Sequence, residues 1–185
     1  MAGCGGGDPV AQPKASSSDT SSSATTVPSQ PTSPPASSPT PSPTSDQPRE
    51  PVLPAAAAEP GRLGAQAFVR YYVDLLNYAS LTGATDALET ASQGCAGCDA
   101  YVALYQRVYD RGGGYKGMRW FVDSSSIYPA LHGFYVLARL HSEPGSYAPH
   151  PGATPKKYGR ERFQLRFQVD HKLGRWAMTD MLNAS

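Results

Sequence analysis

From residue 5 to residue 59 the chain is Ser, Thr, Pro, Ala and Gly with almost no large apolar side chain, "TVPSQPTSPPASSPTPSPTS" being typical. A stretch of this kind cannot bury enough apolar surface to offset the entropy of ordering it, so disorder is predicted and any core must be built elsewhere. Its prolines bias it toward extended polyproline II, in which about 50 residues reach on the order of 150 Å. Residues 5–59 therefore read as a tether, with a composition that also permits O-glycosylation. Folding is expected only in residues 60–185, enough for one hydrophobic core.

There the composition changes and periodic patterns begin. In "GAQAFVRYYVDLLNYASLTG", residues 64–83, Ala67, Phe68, Tyr71, Tyr72, Leu75, Leu76 and Ala79 recur with the 3.6-residue period of an amphipathic helix. Gly83 is its expected stop. Thr85 is placed to cap a short helix over "DALETAS". A third helix is predicted over residues 99–111, with Tyr101, Leu104, Tyr105 and Val108 on one face and a run of three glycines after it.

Beyond this point the period becomes two. Met118, Trp120 and Val122 alternate with polar residues, and residues 133–141 are apolar and β-rich. Residues 144–157 read as a long Pro-punctuated loop. Phe163, Leu165, Phe167 and Val169 alternate with Arg162, Gln164, Arg166, Gln168 and Asp170, and "HKLG" turns this strand into a last one holding Trp176 and Met178. Three helices followed by four strands give an α+β fold, its helices packed on one face of a curved four-stranded antiparallel sheet.

The segment "AFVRYYVDLLNYASLTGATDAL", followed by "CAGC" and a Gly-rich turn, resembles a domain of unknown function found in lipoproteins of actinobacteria. The resemblance spans residues 54–185 and is most specific at Phe68-Val69-Arg70-Tyr71-Tyr72, Leu76-Asn77-Tyr78-Ala79, Gly83, Cys95 and Cys98. It brings no activity with it. The order of elements is also similar to the cone-shaped, cystatin-like fold shared by nuclear transport factor and ketosteroid isomerase, an analogy of fold alone. In such a cone the first helix and the concave sheet face enclose a pocket. Tyr71, Tyr72, Asn77, Tyr78, Trp120 and Trp176 are its candidate lining here, with Asp74 and Asp180 as carboxylates near enough to consider as bases. Packing at the core boundary is the competing role for these tyrosines.

Three cysteines are present. Cys95 and Cys98 lack the second pair or histidine spacing that a zinc site needs, and His132, His141, His150 and His171 read as ordinary strand or loop residues. A structural disulfide is favoured, with redox chemistry, metal binding and free thiols left open. No metal site or cofactor is expected. Ala2-Gly3-Cys4 matches the last three positions of a lipoprotein processing box, with Met1 where Leu or Val is usual. The expectation is that the initiator is placed too late, that residues 1–4 are the remnant of a lipoprotein signal, and that Cys4 is lipidated.

Residues 112–117, "GGGYKG", lack the ending and the preceding strand of a phosphate loop and read as a helix stop and turn. "KKYGRER", residues 156–162, reads as a solvated basic loop and strand edge, with anionic lipid or acidic polymer as the alternative partner. The formal charge of +1 is too small to argue for nucleic acid. The resulting expectation is a lipid-anchored protein on the extracytoplasmic face of the cell membrane, cytoplasmic only if the start is correct. Its domain binds a ligand, an envelope component or a partner protein without catalytic residues. A small isomerase or dehydratase with its site in the concave pocket is the alternative.

Overall fold

The structure, a computed structural model, describes residues 48–184; the candidate lipidation site Cys4 and residues 5–47 of the expected tether lie outside them. Four helices come first: α1 (Ala55–Ala58), α2 (Gly61–Thr82), α3 (Asp86–Ala91) and α4 (Ala96–Asp110). Seven strands follow: β1 (Gly114–Lys116), β2 (Trp120–Ala130), β3 (Gly133–Ser142), β4 (Gly145–Ala148), β5 (Lys156–Tyr158), β6 (Arg162–Lys172) and β7 (Arg175–Asn183). They form an antiparallel four-stranded sheet ordered β2-β3-β6-β7 and an antiparallel three-stranded sheet ordered β1-β4-β5.

The amphipathic period of α2 places Phe68, Val69, Tyr72, Val73, Leu75, Leu76 and Ala79 in the core. They meet the inward set of the large sheet: Ile127 from β2, Val136, Ala138 and Leu140 from β3, Leu165, Phe167 and Val169 from β6, and Trp176, Met178 and Met181 from β7. Alternation along β3 and β6 leaves their other residues outside, as a half-covered antiparallel sheet requires. Register shifts at Val122/Ser124 and at Gln168/Val169 put one extra residue into β2 and one into β7, the local insertion that bends a sheet.

Gly83 ends α2 in the left-handed region (φ 80°), its N–H donating to the Ala79 carbonyl. A Cβ there would also collide with the Tyr109 ring. Thr85 stands at the N-cap of α3, but its hydroxyl does not cap; it donates to Glu89 Oε1 at 2.8 Å and accepts from Gln106 Nε2 at 2.9 Å, tying α3 to α4.

Three sequence expectations need correction. The folded part starts before residue 60: α1 lies inside the expected tether, with Ala57 buried and the Glu59 carbonyl accepting from Trp176 Nε1 at 2.9 Å. The expected loop at 144–157 carries β4 and the start of β5. "GYK" at the centre of the Gly-rich turn is itself a strand, β1, so the expected α+β fold with its four-stranded antiparallel sheet stands and a second, three-stranded sheet is added to it.

Candidate functional site

The six residues expected to line one pocket are distributed over the domain. Tyr72 and Trp176 are core. Tyr72 is fully buried, and its hydroxyl lies 2.8 Å from Ser92 Oγ; Ser92 gives its own hydrogen to the Leu88 carbonyl, so the phenol donates. Burial pushes the Tyr72 phenol up to about 12. Trp176 stacks on Phe68 and meets Phe134 and the edge of His171. The space a cone would leave between helix and sheet is therefore filled by aromatic packing.

Asn77 is also buried, and its amide latches the helix to the sheet. Nδ2 donates to the Trp120 carbonyl at 2.8 Å and Oδ1 accepts from the Trp120 N–H at 2.7 Å. The side chain acts as a one-residue strand against the edge of β2. Three more residues of α2 cap carbonyls farther along that edge: Arg70 to Val122, Gln66 to Ser125 and Arg62 to Ile127. This covering satisfies the free edge of β2.

Tyr71, half-buried against Phe68, has its phenol raised by burial and then by Glu50. Tyr78 lines a surface cleft of about 450 Å³ with Asp74, Asn77, Leu81, Arg119, Arg49 and Pro48. Burial raises the Asp74 carboxyl, and the guanidinium groups of Arg119 and Arg70 oppose that rise. Asp180 pairs with Arg166 at 3.6 Å, and Arg166 faces away from the helices, since its neighbours Leu165 and Phe167 are the buried ones. Asp74 and Asp180 thus share no cavity.

Trp120 belongs to a different cleft, of about 310 Å³, at the seam of the two sheets. Tyr101 from α4, Met118 and Trp120, Tyr158 from β5 and Phe163 from β6 form its walls; Ser142, Glu161 and Asn183 supply polar groups. Trp120 meets Tyr101 edge-on at 5.5 Å and Phe163 at 5.1 Å between ring centroids, the arrangement favoured by aromatic quadrupoles. Behind Tyr101 the row continues through Tyr105 and Tyr115 to Tyr147. Burial holds the Tyr105 phenol far above its ordinary range and raises the Tyr115 phenol to about 12. Ser142 fixes the rim: its N–H donates to the Glu161 carbonyl at 2.9 Å and its Oγ accepts from the Glu161 N–H at 3.2 Å. Such a cleft offers ring faces, a carboxylate and small hydrogen-bonding groups.

Sequence reasoning finds Trp120 but not Tyr158, Glu161 or the role of Tyr101. Tyr101 has the spacing of a core residue, and the other two lie in or beside a stretch that reads as loop and basic edge.

Cys95 and Cys98 are bonded to each other and buried at the start of α4. Cys95 is the N-cap, and its sulfur accepts from the Cys98 N–H at 3.1 Å. Gly97 lies so close to β7 that a Cβ would overlap the Met181 carbonyl oxygen. Among the described residues no group of three or more His, Cys, Asp or Glu is placed to hold a metal ion. No described helix is long and apolar enough to cross a membrane.

Comparison with known proteins places this geometry. The intermembrane space region of the chloroplast protein ARC6 superposes with a TM-score of 0.52 at 16% identity, over 69% of this chain and 99% of that one. A likeness at that identity is one of fold. The protein Aln2 from a Streptomyces species gives a TM-score of 0.43 at 9% identity over 68% of this chain and 94% of its own. An NTF2-like protein with a cystatin-like fold from Novosphingobium aromaticivorans gives 0.40 at 14% over 66% of this chain and 82% of its own. No curated protein matches. A family model does match, over residues 31–182, and by that match the chain belongs to the family of unknown function designated DUF6318.

Proposed function

We propose that this chain is a lipid-anchored binding protein of the cell envelope. Cys4 carries the anchor, the Ser/Pro-rich segment spaces the domain from the membrane, and the domain captures a ligand in the aromatic cleft at the seam of its sheets. The observation that carries the binding reading is that cleft: Tyr101, Met118, Trp120, Tyr158 and Phe163 converge on one space beside Glu161 and Asn183. Half-buried rings next to a few hydrogen-bonding groups suit a ligand with one apolar face and several hydroxyls, which describes a sugar ring. An envelope glycan is the ligand class proposed. A binding role is preferred to an isomerase or dehydratase because the two carboxylates considered for catalysis face different sides of the sheet.

The test is titration of the full chain with soluble glycan oligomers, followed through tryptophan fluorescence and thermal shift. Saturable binding that Trp120→Ala weakens by roughly tenfold or more is expected, from the loss of about 1.5–3 kcal/mol of buried ring contact. Absence of any response at millimolar oligomer would remove the glycan reading. The anchor is tested separately, by the mass of the Cys4 peptide from cells carrying the gene with its upstream in-frame sequence. An unmodified Cys4 there would remove the anchor.

A further inference from the structure

We infer that the end of the domain bearing the β2–β3 and β6–β7 hairpins is a membrane-contact surface, which inserts Leu131 and Leu173 among the lipids of an anionic leaflet. The starting observation is Leu173. It is 99% exposed and has φ of 52°, the one non-glycine residue in the left-handed region among those described. With Gly174 (φ 76°) it forms a two-residue hairpin turn between the paired Lys172 and Arg175. Such turns select Asn or Gly at the first position, because a bulky side chain is strained there. Leucine is thus both conformationally disfavoured and fully solvated, and nothing in the fold uses it. A residue that stands against two physical preferences points to a use outside the fold.

The neighbouring hairpin also carries an exposed leucine at its tip. Leu131, at the β2–β3 turn, is 88% exposed and adjoins exposed His132. In the strand order β2-β3-β6-β7 the two turns lie at the same end of the sheet, two strand spacings or about 10 Å apart. The start of α2 lies at this end too, since Arg62 reaches the Ile127 carbonyl and the Glu59 carbonyl accepts from Trp176. It adds Leu63, 81% exposed.

The charges beside the leucines choose the occupant. Arg62, Lys172 and Arg175 are the cations at this end; Glu59 and Asp170 are the anions, and Asp170 is buried with Oδ2 3.1 Å from Lys172 Nζ. Asp170 offsets Lys172 and Glu59 is exposed, so the three cations outnumber the two anions by one and the excess is positive. An apolar tip between Lys172 and Arg175, with a second leucine tip beside it, matches an anionic bilayer surface, where leucine enters the acyl boundary and Lys or Arg stays with the headgroups. A second copy of this chain fits less well. A two-fold contact would bring Lys172 and Arg175 against their own equivalents.

The contact does not depend on lipidation of Cys4, although an anchor would strengthen it by raising the local concentration of the surface. Pro48, the first described residue, lies beside Tyr78 and Leu81 at the far end of α2. From Cys4 to Pro48 an extended chain reaches about 130 Å, enough to turn the domain so that its hairpins meet the membrane.

The experiment uses the full, unlipidated chain and sedimentation with vesicles of phosphatidylcholine, with and without phosphatidylglycerol. Binding is expected on the anionic vesicles and little on the neutral ones. The double variant Leu131→Ser/Leu173→Asn should bind roughly tenfold or more weakly. Leu173→Asn alone should lose part of the binding while its Tm rises by a few degrees, because Asn relieves the turn. That opposition separates a contact residue from a residue that merely supports folding. The inference is overturned if the unaltered chain stays in the supernatant at millimolar anionic lipid, or if the double variant binds equally. It is also overturned if sedimentation velocity shows that the leucines instead hold two copies together. Because Cys4 is unmodified throughout, failure here leaves the anchor reading standing, and an unlipidated Cys4 in cells leaves this one standing.

Discussion

Asn77 shows how one side chain joins the fold to the candidate site. Its amide satisfies both backbone groups of Trp120, and Trp120 is a wall of the aromatic cleft. Asn77→Ala removes both partners at once from a half-buried strand edge, with an expected loss of about 2–3 kcal/mol in urea unfolding. Asn77→Asp should cost a comparable amount despite its shape, since a carboxylate accepts from the Trp120 N–H but repels its carbonyl. If Asn77→Asp unfolds at the unaltered chain's midpoint, the two-bond latch is wrong. The sequence marks Asn77 as a polar residue on an apolar helix face, which suggests a pocket lining. Its partner is 43 positions away, and helical periodicity carries no information about a contact of that separation. Tyr72 and Trp176 escape sequence reasoning for a related cause: an amphipathic pattern tells which face turns inward, not whether the interior is packed or hollow.

Legibility among the elements follows their length. The 22 residues of α2 and the 11 of β6 repeat their period often enough to be recognised before any contact is known. The strands β1, β4 and β5 have three or four residues each and complete at most two repeats, so the second sheet is invisible without its pairing partners. With that sheet goes Tyr158, and hence one wall of the cleft. The start of α4 is a similar case. Periodicity begins the helix at residue 99, but the N-cap is Cys95, whose bond to Cys98 organises the first turn. Closing a loop this short removes little chain entropy, about 2 kcal/mol in the chain-entropy account, so the double variant Cys95→Ser/Cys98→Ser should fold with a stability reduced by roughly that amount. Thermal unfolding with and without reductant measures it. A variant that fails to fold would give the bond a larger role than bracing one helix end. Gly97 makes that brace specific, since only glycine lets the turn approach the Met181 carbonyl.

At the scale of the molecule, the tyrosines bind the fold to a pH range. The phenols of Tyr72 and Tyr115 are pushed up to about 12 and that of Tyr105 still higher, all chiefly by burial, against an ordinary value of 10.0. A group with a raised folded pKa holds its proton in the native state after the unfolded chain has lost it. The stability it contributes is complete below pH 10 and declines as pH rises from there toward the folded value. Because Tyr105 and Tyr115 sit in one connected row of rings with Tyr101 and Tyr147, ionising either of the two opens the packing of α4 on the small sheet. Alkaline titration should therefore proceed in two stages. The first stage leaves the fold intact. The buried set then ionises together with loss of far-ultraviolet circular dichroism, at a pH above 10. The tyrosinate absorbance at 295 nm and the dichroism are recorded on the same sample. Coincidence of the second absorbance step with unfolding is the expected result, and a Tyr105→Phe variant should move that step to higher pH. If the absorbance instead rises in a single step near pH 10 while the dichroism is unchanged, the row is open to water and the cleft beside it lacks the rigid wall that the binding role requires.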